Sequence, residues 1–318
     1  MAEKRLMERI RDEIRLRHFS IRNEQAYIHW IIKFINYHGK TYPGDMAEKE
    51  VKQFLTHLAV DRLVSASTQH QALNAIVFLY KNVLNKELGD ISGARRAHKK
   101  MRAPVVLTKA EMKAVLDALP YPYKLIARMQ YVSGARLIEA LRLRVKDLDF
   151  ERLTVIIRGK GDKDRISTLS KGICAPLQEH LRRVKKIHEQ DLKEGYGAVY
   201  LPPAMQRSMP RAAKDWIWQY VFPSPSRSVD PRSNITRRHH IHIDSINKQI
   251  RAAAKLAGID KHVSSHAFRH SFATHLIEAN TPIQTVQQLL GHASIETTKI
   301  YLHAMRKPGA GLQSPEDL

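Results

Sequence analysis

Cysteine is almost missing from this chain of 318 residues. The single one, Cys174, excludes an internal disulfide and any metal site built from several thiolates, and it suits a reducing, cytoplasmic setting. No run of eighteen apolar residues occurs, so no membrane-spanning helix and no membrane partner are expected. The opening stretch, MAEKRLMERIRDEIRLRHF, is charged throughout and lacks the apolar centre of a signal peptide. Glycine-rich phosphate loops and carboxylate clusters at metal-ligand spacing are also missing, so no cofactor and no metal are expected. Neither an internal repeat nor a long low-complexity tract is visible. Acidic residues are the last shortage. There are 31 of them against 53 Lys and Arg, a net charge of +22. Such a balance calls for a polyanionic partner, and basic residues spread over the whole chain favour nucleic acid over a membrane surface.

What is present divides in two. Residues 1–88 read as all-helical, with apolar residues at helical spacing in Leu6, Ile10, Ile14 and again in Tyr27, Trp30, Ile31, Phe34, Ile35. Gly39 and Pro43 break the pattern; a third helix is predicted over about 48–60 and a fourth over about 67–86. Residues 89–107 change character. Gly89, Gly93 and Pro104 bracket a basic run containing Arg95, Arg96, Lys99 and Lys100, which reads as an interdomain linker able to lie along phosphates.

A second domain starts at Thr108, an N-cap with Glu111 at the capping-box position. Within Ser133-Gly134-Ala135-Arg136-Leu137-Ile138-Glu139, an Arg in an apolar helix needs an anion or a carboxylate. Arg136 either pairs with Glu139 or binds phosphate with Glu139 orienting it, and this segment alone decides neither. Residues 145–169 read as strand with a hairpin tip at Gly159-Lys160-Gly161, whose glycines let Lys160 approach a ligand closely. Helix returns over 171–194. The less orderly stretch 195–240 holds Trp216, Trp218 and Tyr220 among arginines that include Arg237 and Arg238; aromatics interleaved with Arg can stack on unpaired bases, although Trp216 also suits a core beneath a loop. His239-His240-Ile241-His242 lacks a carboxylate or thiolate at metal-ligand spacing, so strand-like alternation beside nucleic acid is the reading there. A helix over about 244–257 then ends at Gly258.

The last fifty-odd residues carry the chemistry. His266 and Arg269 lie three apart on one helix, where both can lean over a small anion. Leu289-Leu290-Gly291-His292 follows, then Tyr301 nine residues beyond that His, on a short helix that Ser294 can cap. Arg269 offers a planar fork of donors for phosphate oxygens, His266 can move protons near neutral pH, and a Tyr hydroxyl can act as a covalent nucleophile. Each residue has a bland reading as packing or surface charge. Order and spacing together do not, and they resemble the C-terminal signature of the tyrosine recombinases.

The resemblance covers nearly the whole chain. It implies a mainly α fold with a small β-sheet: an all-helical, SAM-like core-binding domain over 1–88, a linker over 89–107, and an α+β catalytic domain over 108–318 ending in a tail from about 304. It matches Arg136, Lys160, His266, Arg269, His292 and Tyr301 to the family's catalytic set, with Glu139 supporting. The implied enzyme cuts and rejoins DNA through a 3′-phosphotyrosine, without ATP or metal, as a homotetramer on two DNA sites. In that scheme His266 takes the Tyr301 proton, Arg136 and Arg269 stabilise the phosphoryl charge, Lys160 protonates the departing 5′ oxygen, and His292 donates to the phosphate. The stretch 195–240 further resembles the segment that separates integron integrases from other tyrosine recombinases. It implies gene-cassette sites, double-stranded or folded single strands, contacted through Trp216, Trp218, Arg237, Arg238, His239 and His240. The alternatives are a phage- or transposon-type tyrosine recombinase, a type IB topoisomerase-like enzyme, and a DNA-binding protein with decayed catalysis.

Overall fold

The computed structural model describes residues 2–91, 93, 94, 104–159 and 164–304. Arg95, Arg96, Lys99 and Lys100 of the linker, Lys160 of the hairpin and the tail beyond residue 304 lie outside the described residues. The chain divides into two compact units, Met1–Arg102 and Ala103–Leu318.

The first unit is helical. It comprises α1 (Ala2–Leu16), α2 (Ile21–Tyr37), α3 (Glu48–Val60) and α4 (Ala66–Phe78). Ser20 and Ser65 each accept the backbone N–H of the third residue of the helix they precede, and the Glu50 carboxylate accepts the Ala47 N–H at the start of α3. The apolar stripes named above close one core through Ile10, Ile14, Ile31, Phe34, Val51, Phe54 and Ile76. The predicted fourth helix is regular only to Phe78. It continues as a wider π-type turn over Leu79–Leu84, stopped by Asn85 in the left-handed region at φ 53°.

The second unit begins with α5 (Lys109–Ala118), where Thr108 and Glu111 form the expected reciprocal cap at 2.7 and 3.1 Å. Then come α6 (Tyr123–Ser133) and the short α7 (Leu137–Leu141). A three-stranded antiparallel sheet follows, β1 (Leu148–Asp149), β2 (Thr154–Ile157) and β3 (Arg165–Thr168), ordered β1-β2-β3. Val155 and Ile157 point into the core while Ile156 and Ile166 face out, as the two-residue period requires. The strand expected from Val145 is shorter than its composition suggests. Asp147 accepts the Arg144 N–H and Asp149 accepts those of Glu151 and Arg152, so local carboxylates turn the chain before a ladder can form.

Helix α8 (Lys171–Lys193) leads into the stretch 195–240, which holds α9 (Pro203–Ser208), single turns at Ala212–Lys214 and Trp216–Trp218, and a small ribbon of β4 (Ser228–Val229) with β5 (Thr236–Arg237). This stretch has its own apolar cluster of Val199, Leu201, Ala212, Ala213 and Tyr220. The buried Gln219 amide pins it by donating to the carbonyls of Gly197, Ala213 and Asp215. The unit closes with α10 (Ile243–Leu256), α11 (Ser265–Glu278), α12 (Ile283–Leu290) and α13 (Glu296–Ala304). Its main core centres on Ile126, Leu141, Val155, Ile173, Phe222, Ile250 and Phe268. A neighbouring cluster of Phe272, Ala273, Val286, Leu290 and Tyr301 seats α13. Among the described residues no helix is long and apolar enough to cross a membrane.

Candidate active site

Arg269 sits inside α11 with 3% of its surface exposed. It is satisfied by two helix ends. One terminal nitrogen donates to the Gly134 carbonyl at 2.5 Å where α6 stops, the other to the Leu290 carbonyl at 2.6 Å where α12 stops. Those carbonyls have no partner within their own helices and carry the negative end of each helix dipole, so a guanidinium between them is doubly favoured. Both helices stop on a glycine in the left-handed region, Gly134 and Gly291, each at φ 64°. A Cβ at Gly134 would lie 2.5 Å from the Phe272 ring, so geometry and space both require glycine there. The two glycines turn the chain so that Arg136 and His292 follow into the same region. Burial lowers the Arg269 pKa to about 10, which leaves it charged at neutral pH.

Arg136 is not inside a helix. It occupies the N-cap position of α7 in extended conformation, with 42% of its side chain exposed, while its backbone N–H donates to Glu139 at 2.9 Å. Glu139 gathers the cations. Its carboxylate receives Arg136 at 2.8 Å and Arg165 at 2.6 Å, with Arg269 at 3.9 Å. Burial alone would raise this carboxyl, but hydrogen bonds from Arg165 and Arg136 outweigh it and hold it below the usual range. Of the two readings of Arg136 from sequence, the pairing with Glu139 is present, through both the backbone N–H and the guanidinium. Arg165, from β3, also donates to the Leu289 carbonyl at 2.7 Å, tying the base of the hairpin to the end of α12.

Tyr301, on α13, is 1% exposed, and burial raises its pKa. His292 stacks its ring on the tyrosine with centroids 6.3 Å apart. Arg269 donates to His292 Nε2 at 3.1 Å, which leaves the ring proton on Nδ1, donated to Thr298 Oγ1 at 2.9 Å. Burial, then Arg269 and Arg136, lower the His292 pKa to about 4. Both of its nitrogens are thus occupied by protein, and donating to a phosphate requires an exchange of partners. Ser294 accepts the Glu296 N–H at 3.2 Å at the start of α13, the cap read from sequence.

His266 departs from expectation. It is exposed at the beginning of α11 and forms no hydrogen bond with Tyr301. The phenol instead meets His270, one turn further along, at 3.1 Å from Nδ1. Partial desolvation, with Arg269 and Arg136 nearby, lowers the His266 pKa; fuller burial, then His266 and Arg269, brings His270 to about 4. Sequence reasoning passed over His270 and Arg165. His270 was within reach, since a residue four after His266 shares its face of the helix. Arg165 had no signal beyond a charge in a short strand.

The structure places the residues of 195–240 in two groups. Trp216 is half-buried against His188, 6.0 Å between rings, while Ile217 beside it is exposed. Trp218 is half-buried with the Lys146 ammonium over its face at 3.1 Å. His240 packs edge-on to Tyr220, its Nδ1 donating to the Ile241 carbonyl at 2.8 Å, and His239 lies 3.9 Å from Asp230. Arg237 and Arg238, expected at DNA, are both engaged by protein groups. Arg237 is buried beside Asp230, and Arg238 spends all three nitrogens on protein: a two-point grip on Asp191 at 2.6 and 2.8 Å and the carbonyls of Ser224 and Pro225. Buried acids hold both guanidiniums, Asp230 from seven residues before Arg237 and Asp191 from 47 before Arg238.

A buried phenol beside Arg269 and Arg136 and among neutral imidazoles is suited to meeting an anion and stabilising charge that develops on it. Comparison with known proteins agrees with that chemistry. Residues 6–90 match the family described as "Phage integrase, N-terminal SAM-like domain", and residues 105–307 match "Phage integrase family". An integrase/recombinase of Escherichia coli is 42% identical over 314 residues, 98% of this chain and 93% of that protein. Tyrosine recombinase XerD of Mycobacterium tuberculosis is 28% identical over 305 residues, 88% of this chain and 86% of its own. In fold, the chain resembles the XerH site-specific recombinase bound to palindromic difH substrate, with a TM-score of 0.61 at 21% identity over 91% of this chain and 78% of that one. It also resembles the Tn1549 transposon integrase in complex with transposon right end DNA, with a TM-score of 0.59 at 16% identity over 93% and 94%. A SAM-like helical domain followed by a catalytic domain in which Tyr301 meets this cluster of arginines and histidines belongs to the phage integrase family, and the chain is a tyrosine recombinase, a DNA strand-transferring enzyme.

Proposed function

We propose that this recombinase integrates and excises gene cassettes at integron attachment sites, acting on double-stranded sites and on folded single-stranded sites with extrahelical bases. The observation that carries the reading is the stretch 195–240. It folds on its own small core and turns at Trp216–Trp218 to present the exposed Ile217 between two half-buried tryptophans. A protein reading a folded strand needs apolar and aromatic surface for bases already out of the stack, which lowers the cost of extrusion.

In the chemistry of this reading, Tyr301 attacks the scissile phosphate and forms a 3′-phosphotyrosine. Arg136 and Arg269 hold the phosphoryl oxygens with Glu139 behind them, His292 exchanges a protein partner for the phosphate, and Lys160 gives a proton to the departing 5′ oxygen. The phenolic proton goes to a histidine of α11. The ester keeps the bond energy of the broken phosphodiester, so rejoining needs no ATP. The enzyme works in the cytoplasm as a homotetramer on two DNA sites, each tail beyond residue 304 docking on a neighbouring protomer, with the basic linker of Arg95, Arg96, Lys99 and Lys100 along the phosphates.

The test is recombination of a single-stranded folded cassette site against a double-stranded attachment site. Product from the folded strand is expected. Recombination of duplex partners alone would replace this reading with a phage- or transposon-type recombinase. Failure to form a covalent adduct on any nicked site would leave a DNA-binding protein.

A further inference from the structure

We propose that Arg165 is a positioning residue for strand cleavage: by neutralising Glu139 from within the protein, it leaves Arg136 and Arg269 free to turn to the scissile phosphate. The inference rests on the reading given above, in which those two arginines hold the phosphoryl oxygens. Arg165 is set into the protein, with 9% of its side chain exposed against 42% for Arg136. Its Nη2 donates to Glu139 Oε2 at 2.6 Å and its Nε to the Leu289 carbonyl at 2.7 Å. Its aliphatic stem lies against Gly291, where a Cβ would come within 3.0 Å of Arg165 Cδ. These contacts turn the guanidinium onto protein groups, so its part in the reaction runs through its neighbours.

The strand that carries Arg165 is built to hold helix ends. Ser167 donates to the Ser133 carbonyl at 2.7 Å and Thr168 to the Val132 carbonyl at 3.0 Å, both in the last turn of α6. Arg165 does the same for α12. Of that helix's last four carbonyls, Gln287 and Gln288 accept the N–H groups of His292 and Gly291, Leu289 accepts Arg165, and Leu290 accepts Arg269. β3 therefore fixes the two turns, at Gly134 and Gly291, from which Arg136 and His292 depart.

Charge explains why a third arginine is needed. Glu139 has 8% of its side chain exposed, and a buried carboxylate holds whichever cations lie within reach. Arg136 already reaches it with Nη1 at 2.8 Å, and Arg269 lies 3.9 Å away. With Arg165 in place, three guanidiniums surround one carboxylate, and positive charge is left over for an anion. Without Arg165, the carboxylate draws Arg136 and Arg269 inwards. A displacement of about 1 Å at a group that holds the transition state costs about 100-fold in rate.

Single-turnover cleavage of a nicked double-stranded attachment site by the full-length protein tests this, with the rate constant and the amplitude of adduct formation read separately. Arg165→Met fills the same space without charge. It is expected to form the phosphotyrosine adduct about 100-fold more slowly, with full amplitude and unchanged DNA affinity. Arg165→Lys keeps a charge beside Glu139 and loses only the bond to the Leu289 carbonyl, so its rate should stay within about 10-fold of wild type. In a Glu139→Gln background, Arg165→Met should cost little further, because the carboxylate through which Arg165 acts is gone. Wild-type cleavage by Arg165→Met overturns the proposal, and so does an equal loss in Arg165→Met and Arg165→Lys. A fall in amplitude at an unchanged rate constant would leave Arg165 a merely structural role. A full loss again in the Glu139→Gln background would show that Glu139 is not the link. Arg165→Gln, uncharged but still able to donate to the Leu289 carbonyl, takes the place of Arg165→Met if that variant does not fold, with the same loss expected. Arg136→Ala, run alongside, separates the failures: wild-type cleavage there overturns the reading of Arg136 at the phosphate, whereas slow cleavage there with fast cleavage by Arg165→Met overturns this inference alone.

Discussion

Arg269 donates to His292 across 3.1 Å, and that contact fixes the imidazole as a neutral acceptor whose remaining proton goes to Thr298. The same guanidinium closes the ends of α6 and α12, so the charge that holds the fold together is also the one aimed at the site.

A pH dependence of stability follows. His270 and His292 are each brought to about 4 in the folded protein, below their ordinary value of about 6.5. The unfolded chain binds these protons first, so their contribution is fully present above pH of about 6.5 and is lost as pH falls towards about 4. Thermal melts at about pH 7 and about pH 5 should show a lower Tm in acid. His292→Gln should show a smaller drop; an equal drop would place the loss in other groups.

Glu139→Gln leaves Arg165 and Arg136 without their counter-charge. Breaking a buried pair from one side costs about 3–5 kcal/mol, and because Arg136 is half exposed the lower end of that range is expected. Chemical denaturation reads the loss, and strand cleavage should fall with it at temperatures where the variant is folded. Unchanged stability would mean that solvent already satisfies these arginines.

Tyr301→Phe removes one hydroxyl from a buried ring, so folding and DNA binding should persist while covalent attachment disappears. Arg136→Lys and Arg269→Lys keep a charge but lose the planar fork, and each should slow cleavage by about 100-fold or more. For Arg269 the loss should come with a lower Tm, since one ammonium cannot replace the donors serving Gly134, Leu290 and His292 together. Near-normal cleavage by both lysine variants would give the arginines a purely structural role.

Trp218→Ala combined with His240→Ala tests the stretch 195–240. The pair should weaken binding of a folded hairpin site by about 1–3 kcal/mol for each base that loses its stacking partner, and a fully paired site far less. Part of any uniform loss will come from Lys146, which rests on Trp218 and is released with it. Binding of the two DNAs at one salt concentration decides the matter. Equal losses would return the stretch to a packing role.

By itself the sequence determined the helices and the order of the chemistry. Apolar spacing located α3 and α8 to within a residue or two, and Thr108, Glu111 and Ser294 announced their caps, because each of these is settled within one or two turns of chain. The run from His266 through Arg269 and Gly291-His292 to Tyr301 identified the kind of site, since few other proteins need those residue types in that order. Tertiary structure decided who touches whom. His266 and His270 share a face one turn apart, roughly 6 Å along the helix, so periodicity cannot choose between them. The choice falls to where α13 lands, set by the Gly291 turn and by Tyr301 packing on Phe272 and Val286. Likewise Arg238 reads as a free cation until α8 brings Asp191 from 47 positions away to within 2.6 Å. A hydrogen bond is won or lost over less than an ångström, and distances that fine between segments far apart in the chain exist only once the whole core has packed.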